Sequence, residues 1–177
     1  MELKPIPFNK FQLKRISLLD EQWLLLSAGD FARKEFNSMV ISWGSLGVMW
    51  SKPFVQVVVR PTRYTYEFIN KFPDFTLCAF SEEYRKILNK LGSKTGREID
   101  KIAHSGLTPC PAEIVAAPVY AEAELVLECR KMYWQDMNPA NFLDEKINKC
   151  YTSDDYHRIY FGELLAVRGV DKFCSQA

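Results

Sequence analysis

The hydrophobic pattern of this chain is mostly that of strands. Residues 121–134 carry the most regular alternation: Ala123, Leu125, Leu127 and Cys129 share one face, while Glu122, Glu124, Glu128 and Arg130 share the other with Val126. After Arg130 the alternation slips, because Met132 and Trp134 fall on the formerly polar face. A bulge accounts for the slip, and so does burial of that end by a partner subunit. The run Phe54-Val-Gln-Val-Val-Val59 is β-branched and too short for a typical helix. Further apolar runs predict strands over 23–27, 38–43, 75–79 and 156–167, with Gly29-Asp30 turning between the first two as an antiparallel pair. A clear helical period occurs over 82–91, where Tyr84, Ile87, Leu88 and Leu91 share a face, Ser81 is placed to cap and Gly92 to terminate. Shorter helices are expected over 63–70, capped by Thr62, and over 98–104 and 139–147, with a helical turn over 16–22. Residues up to Lys14 read as an extended arm and 168–177 as a flexible tail. About seven strands with short helices between them, and no repeated βαβ alternation, argue against a doubly wound parallel sheet. They point to a mainly β antiparallel barrel with helical insertions.

Composition narrows the class. A chain of 177 residues that is 47% hydrophobic suits one domain with its own core. Its 23 basic and 22 acidic side chains nearly cancel, without the basic patch expected of a nucleic-acid binder. No run reaches the length of a membrane span, and the first ten residues lack the apolar core of a signal peptide, so a cytoplasmic protein is expected. The five cysteines are scattered without a CxxC pair, which fits free thiols in a reducing compartment, with Cys78 and Cys129 buried as structural residues.

Candidate chemistry concentrates between residues 36 and 65. The strand over 54–59 delivers Arg60-Pro-Thr-Arg-Tyr-Thr65 to the start of a short helix. Positive charge, hydroxyls and free backbone N–H groups together make an anion site there, set against the plainer reading of an ordinary strand-to-helix loop. The anion would be the phosphate of a ligand whose flat part lies along the strand over 38–43, with Trp43 and Met39 among its apolar contacts. A second donor-rich loop, Gly92-Ser-Lys-Thr-Gly-Arg97, also precedes a predicted helix and could close on the same phosphate; it is neither a GxxxxGK[ST] nor a GxGxxG loop. Of the two histidines, His104 reads as structural and His157 as the better pocket candidate. No Ser-His-Asp, Cys-His or paired-carboxylate spacing is present, and a ligand that brings its own chemistry removes the need for one.

On these residues the chain resembles the flavin reductase-like, FMN-binding split-barrel family. The stretches that carry the resemblance are Asn37-Ser-Met-Val-Ile-Ser-Trp-Gly44, Val59-Arg-Pro-Thr-Arg-Tyr-Thr65, Gly92-Ser-Lys-Thr-Gly-Arg-Glu-Ile-Asp-Lys101, Ala123-Glu-Leu-Val-Leu-Glu-Cys129 and Tyr156-His-Arg-Ile-Tyr-Phe-Gly-Glu163. The resemblance implies a Greek-key split β-barrel that forms a homodimer and binds FMN near the subunit interface. Met39, Val40, Ile41, Ser42 and Trp43 would lie along the isoalloxazine. Arg60, Thr62, Arg63, Tyr64 and Thr65 would bind the phosphate end, with Ser93, Lys94 and Thr95 as further candidates. His157 would stand near the nicotinamide position. The implied activity is hydride transfer from NADH or NADPH to flavin N5. The rival is a flavoredoxin-type electron carrier that takes electrons from a redox protein partner; a split barrel that has lost flavin, or binds haem, is a third possibility. The family commonly has threonine where this chain has Val40, so a side-chain bond at that position is missing while backbone contacts remain.

Overall fold

The computed structural model describes residues 3–8, 18–93 and 95–174. Its strands are β1 (Lys4–Pro5), β2 (Leu24–Asp30), β3 (Glu35–Ile41), β4 (Gly44–Met49), β5 (Lys52–Val59), β6 (Asp74–Ala79), β7 (Pro109–Cys110), β8 (Val119–Tyr120), β9 (Leu125–Asp136) and β10 (Arg158–Gly169), with helices α1 (Thr65–Lys71) and α2 (Arg85–Ser93). Seven strands form one antiparallel sheet in the order β3-β2-β6-β9-β10-β5-β4, and β1 pairs with the far end of β10.

The two ends of that order are β3 and β4, and only Ser42 and Trp43 separate them in the chain. If the sheet lay flat, six strand spacings would put its edges roughly 29 Å apart. A two-residue link reaches only about 11 Å. The sheet therefore rolls up until its edges nearly meet, which makes it a split barrel.

The interior is filled by alternate residues of the curled strands, among them Leu24, Leu26, Val55, Val57, Phe75, Leu77, Leu125, Leu127 and Tyr160, and Ile69 of α1 packs with them. A second cluster lies on the outer face, where Leu88 and Leu91 of α2 and Val119 and Tyr120 cover Leu25, Cys78 and Val126. Strand β6 is consequently buried along its whole length, and Cys78 and Cys129 are both inaccessible.

The polar face of β9 departs from the alternation pattern, because it is not solvated. Glu128 is fully buried and accepts backbone N–H bonds from Glu113 (3.0 Å), Ile114 (2.7 Å) and Val115 (3.3 Å), while Arg168 reaches it at 3.0 Å. Asp74 holds the next two residues, accepting from Ala116 at 3.3 Å and Ala117 at 3.2 Å. Two carboxylates thus pin a loop across the sheet, supplying the acceptors that buried N–H groups require.

Other expected elements change in extent. The slip after Arg130 is a bulge: Phe161 pairs with Tyr133 and Gly162 with Lys131, leaving Met132 unpaired. The segment after Trp43, for which no strand was expected, is β4, which forms a hairpin with β5. Residues 98–104 form turns rather than a helix, and 139–147 is replaced by 3₁₀ turns at Pro139–Asn141 and Glu145–Cys150. The expected tail is ordered well past Arg168: β10 runs to Gly169, and Phe173 is buried in the core. The extended arm and the turn over 16–22 fall partly outside the described residues; Leu18–Gln22 is a helical turn.

Gly162 sits beside the bulge, where a Cβ would come within 2.6 Å of the Phe75 ring and 3.0 Å of Cys129 Cβ. Such overlap in a packed core costs about 1–3 kcal/mol. Gly162→Ala is therefore expected to lower the urea midpoint by that amount of stability, with the slope of the transition unchanged.

Candidate functional site

The site grows from the split. Because β3 is an edge strand, its outer N–H and C=O groups have no neighbouring strand among the described residues. Beside it stand the turn that follows β5, the start of α1, the end of α2 and the approach to β10. Met39, Val40, Ile41, Ser42, Trp43, Val58, Arg60, Arg63 and His157 line a cavity of about 210 Å³. Met39, Val40, Thr62, Arg63, Tyr64, Thr65, Ser93 and Thr95 line a second of about 220 Å³, joined by Asn37, Leu91, Gly92, Gly96 and Lys101. The two adjoin through Met39, Val40 and Arg63. Every sequence-expected site residue that is described lines one or both; Lys94 lies outside the described residues.

The first cavity is aromatic at its wall. The Trp43 and His157 rings lie 5.2 Å apart, and Trp43 remains 47% exposed. His157 is buried, and its Nδ1 lies 2.7 Å from the Tyr151 hydroxyl. Burial, reinforced by the positive charge of Arg60, pushes the imidazole pKa down to about 4. The ring is consequently neutral near pH 7 and cannot donate a second N–H as an imidazolium would.

The second cavity is polar and cationic. Arg60 and Thr62, read from the sequence as phosphate ligands, have partners within the chain. Arg60 Nη1 meets Asp155 Oδ1 at 2.6 Å, Nη2 donates to the Cys150 carbonyl at 2.7 Å, and the Thr62 hydroxyl donates to Asp155 Oδ2 at 3.3 Å. The guanidinium also lies 4.9 Å from the Tyr151 ring centre. Arg60 thereby ties the loop before β10 to the turn after β5 and helps to set Tyr151 and His157. Arg63 is different: among the described residues its guanidinium has no ion-pair partner. Lys101 is buried beside the same cavity, with its ammonium donating to the Leu91 carbonyl at 2.9 Å. Burial first, and then repulsion from Arg63, push its pKa down to about 8. Two cations that repel one another across a cavity with threonine and serine hydroxyls form a donor set suited to a phosphate. Thr65 belongs to it, its hydroxyl accepting from Asn37 Nδ2 at 2.8 Å and keeping a proton to donate. Ser93 donates to the Lys90 carbonyl at 3.1 Å, and Thr95 accepts from the Arg97 N–H at 3.3 Å.

The expected helix start is also shifted. Thr62 does not cap α1, which begins at Thr65 after Tyr64 without a side-chain cap; turn bonds from Arg63 N–H to the Arg60 carbonyl (3.0 Å) and from Tyr66 N–H to the Arg63 carbonyl (2.9 Å) precede it. Asp155 holds the Thr62 hydroxyl instead. Sequence reasoning missed Lys101, Tyr151 and Asp155. Lys101 reaches the site only because the loop over 95–101 folds back, and no local pattern marks it. The acidic pair Asp154-Asp155 beside His157 was a readable hint of a partner for a nearby arginine.

Comparison with known proteins follows the same line. The family model of the flavin reductase like domain matches residues 22–172. Among solved structures, the chain is similar to flavoredoxin of Desulfovibrio vulgaris (Miyazaki F), with a TM-score of 0.65 and 24% identity, covering 85% of this chain and 70% of that one. It is similar to an FMN-binding domain of a flavin reductases-like enzyme from Shewanella baltica, with a TM-score of 0.67, 18% identity and coverage of 95% and 77%. It is also similar to an NADH:FAD oxidoreductase from Streptomyces globisporus, with a TM-score of 0.62, 17% identity and coverage of 86% and 79%. Comparison with curated protein sequences gives no match.

The depressed pKa of His157 has a measurable consequence. Between about pH 6.5 and pH 4 the unfolded chain binds a proton at this residue and the folded chain does not, so stability falls as pH drops through that window. An NMR titration should place the His157 midpoint near pH 4. Replacing His157 with Gln should flatten the fall of the melting temperature between those limits. A midpoint at the ordinary histidine value would contradict the buried, neutral assignment.

Proposed function

We propose that this chain, which belongs to the flavin reductase like domain family, is a flavin-dependent oxidoreductase that accepts hydride from NADH or NADPH. The observation that carries the reading is the meeting of three separated segments, 39–43, 60–65 and 92–95, together with His157, around two joined cavities on one edge strand. FMN suits this arrangement: a flat ring against β3 and Trp43, and a phosphate near Arg63, Lys101 and Thr65. When bound, the flavin supplies the redox chemistry. The chain's own work is positioning and electrostatics. Edge backbone groups of β3 orient the ring without needing a hydroxyl at Val40. Neutral His157, held by Tyr151, shapes the end of the cavity near Trp43 without adding charge. Arg63 and Lys101 hold the phosphate, while Arg60 acts through Asp155 to position the turn.

An electron-carrier reading has its own support in the similarity to flavoredoxin and in the exposure of Trp43 beside the ring cavity. The visible spectrum of the flavin-loaded protein separates the two. Rapid anaerobic bleaching with NADH or NADPH is expected for the reductase; flavin that resists nicotinamide but is reduced by dithionite or a reduced ferredoxin would replace it with the carrier.

The phosphate assignment is tested separately. A hydrogen bond to a charged group contributes about 1.5–3 kcal/mol, so Arg63→Ala should weaken FMN binding by about one to two orders of magnitude. Riboflavin, which lacks the phosphate, should bind both proteins alike. An unchanged FMN affinity removes Arg63 from the site.

A homodimer is part of the same proposal. Trp50, Tyr133 and Phe161 form an exposed or half-buried aromatic cluster with ring separations of 5.8–6.2 Å, and Val48 beside it is 74% exposed. Apolar surface of this kind at a sheet edge fits coverage by a second copy. Sedimentation of the wild type should give twice the chain mass, and Trp50→Glu should shift it toward the monomer. The five free thiols fit a cytoplasmic setting. Among the described residues no helix is long and apolar enough to cross a membrane.

A further inference from the structure

The hydrogen bond that holds His157 has a direction. The Tyr151 hydroxyl lies 2.7 Å from Nδ1 and 3.3 Å from Met137 Sδ, and a phenol has a single proton to give. Between a bare imidazole nitrogen and a thioether, the nitrogen is the stronger acceptor. The separation agrees: 2.7 Å is usual for an O–H donor and short for an N–H donor to oxygen, which prefers about 2.9–3.0 Å. The proton of this bond therefore belongs to the oxygen. A neutral imidazole carries one N–H, so that N–H falls on Nε2.

Nε2 itself is open. Among the described residues it has no hydrogen-bond partner, yet it is not sealed in the core, because the only buried side-chain polar atom left without a partner there is Arg168 Nε. With Nδ1 turned to Tyr151, the opposite side of the ring faces the cavity that His157 lines with Trp43, Met39 and Val58. Tyr151 is fixed in turn. It is buried at the end of the 3₁₀ turn Glu145–Cys150, its ring stacked on Phe142 at 5.9 Å, set against Tyr156 at 4.8 Å and covered by the Arg60 guanidinium at 4.9 Å. Arg60 also donates to the neighbouring Cys150 carbonyl at 2.7 Å. Packing and charge on the Tyr151 ring thus place its hydroxyl without help from a ligand.

We propose that Tyr151 is a positioning residue for the ring cavity: by donating to Nδ1 it locks His157 as the Nε2–H tautomer, which presents one neutral N–H to a carbonyl oxygen of the flavin ring. The inference rests on the flavin reading above and extends it from the shape of that cavity to its polarity. A flavin ring has carbonyl oxygens on its polar edge, and they accept such a bond without a proton changing hands. The charged groups around His157 favour the neutral ring on balance. Arg60 and Arg63 oppose its protonation, and Asp155, which favours it, is already paired with Arg60.

Nitrogen-15 NMR of the flavin-free protein reads the tautomer directly. Near pH 7 the Nε2 resonance should be of the protonated type and the Nδ1 resonance of the bare type; the reverse would overturn the proposal. Tyr151→Phe keeps the ring and its stacking and removes only the hydroxyl. A bond donated to bare Nδ1 favours neutral imidazole, so its loss should raise the His157 midpoint from near pH 4 toward the ordinary value of about 6.5. A bond of the opposite sense favours the imidazolium, so a midpoint that stays or falls in the variant would overturn the assignment. Riboflavin, which carries the ring without the phosphate, should shift the Nε2–H resonance downfield as it binds the wild type. Binding without that shift would overturn the donor role. Failure of both riboflavin and FMN to bind would overturn the flavin reading, and the ligand half of this proposal with it, while the two measurements on flavin-free protein decide the role of Tyr151 on their own.

Discussion

The two residues between β3 and β4 constrain the rest of the molecule. They join the opposite edges of a seven-strand sheet, so the sheet has to curl. Curling brings the edge of β3 beside the ends of β5 and β10, which are distant from it in strand order. A flat sheet of the same strands would spread Met39, Arg63 and His157 across its width; the rolled sheet places them around adjoining cavities. The split also leaves β3 without an outer neighbour among the described residues, and an unpaired strand edge is a row of fixed donors and acceptors.

Charge at the site is divided by partnership. Asp155 takes up the charge of Arg60 and the hydroxyl of Thr62, and it joins the loop before β10 to the turn after β5. At the phosphate cavity burial first, and then repulsion from Arg63, works against the charge on Lys101. An anion placed between them relieves that repulsion, whereas one placed beside Arg60 would compete with Asp155. Neutral His157 adds no further positive charge to the ring cavity, which Arg60 and Arg63 also line.

Much of this was readable in the sequence where the controlling interactions are local. The β-branched run of β5, the alternation of β9 and its slip at the Met132 bulge, and the apolar face of α2 all follow from side-chain period. Of the site segments, 60–65 was readable because its donors follow the apolar strand β5, and 92–95 because its donors follow the periodic helix α2. Strand β4 was not: Gly-Ser-Leu-Gly-Val-Met has two glycines and largely exposed side chains. Its hairpin turn is made by Trp50 and Ser51, both at positive φ, without the Asn-Gly or Asp-Gly pair that signals such a turn. Glu128 looked like a solvent-facing residue because its backbone partners, 113–115, are remote in pattern though close in space. Lys101 and Asp155 were missed for the same reason, since each acts through a loop whose path is set by tertiary packing.

Val40 shows how packing and site chemistry meet. Its side chain lies against Gly92, where an added Cβ would stand 3.5 Å from Val40 Cβ, and it also packs on the outer cluster beneath α2. A hydroxyl at this position would face that apolar contact as well as the cavities. Valine instead fills the space between β3 and the end of α2, which fixes the loop that carries Ser93 and Thr95. The missing side-chain donor is thus exchanged for a firmer wall, and the orienting polar contacts are left to the backbone of β3. Backbone groups on an edge strand are set by the fold rather than by rotamers, so they remain in place whichever residue stands at position 40.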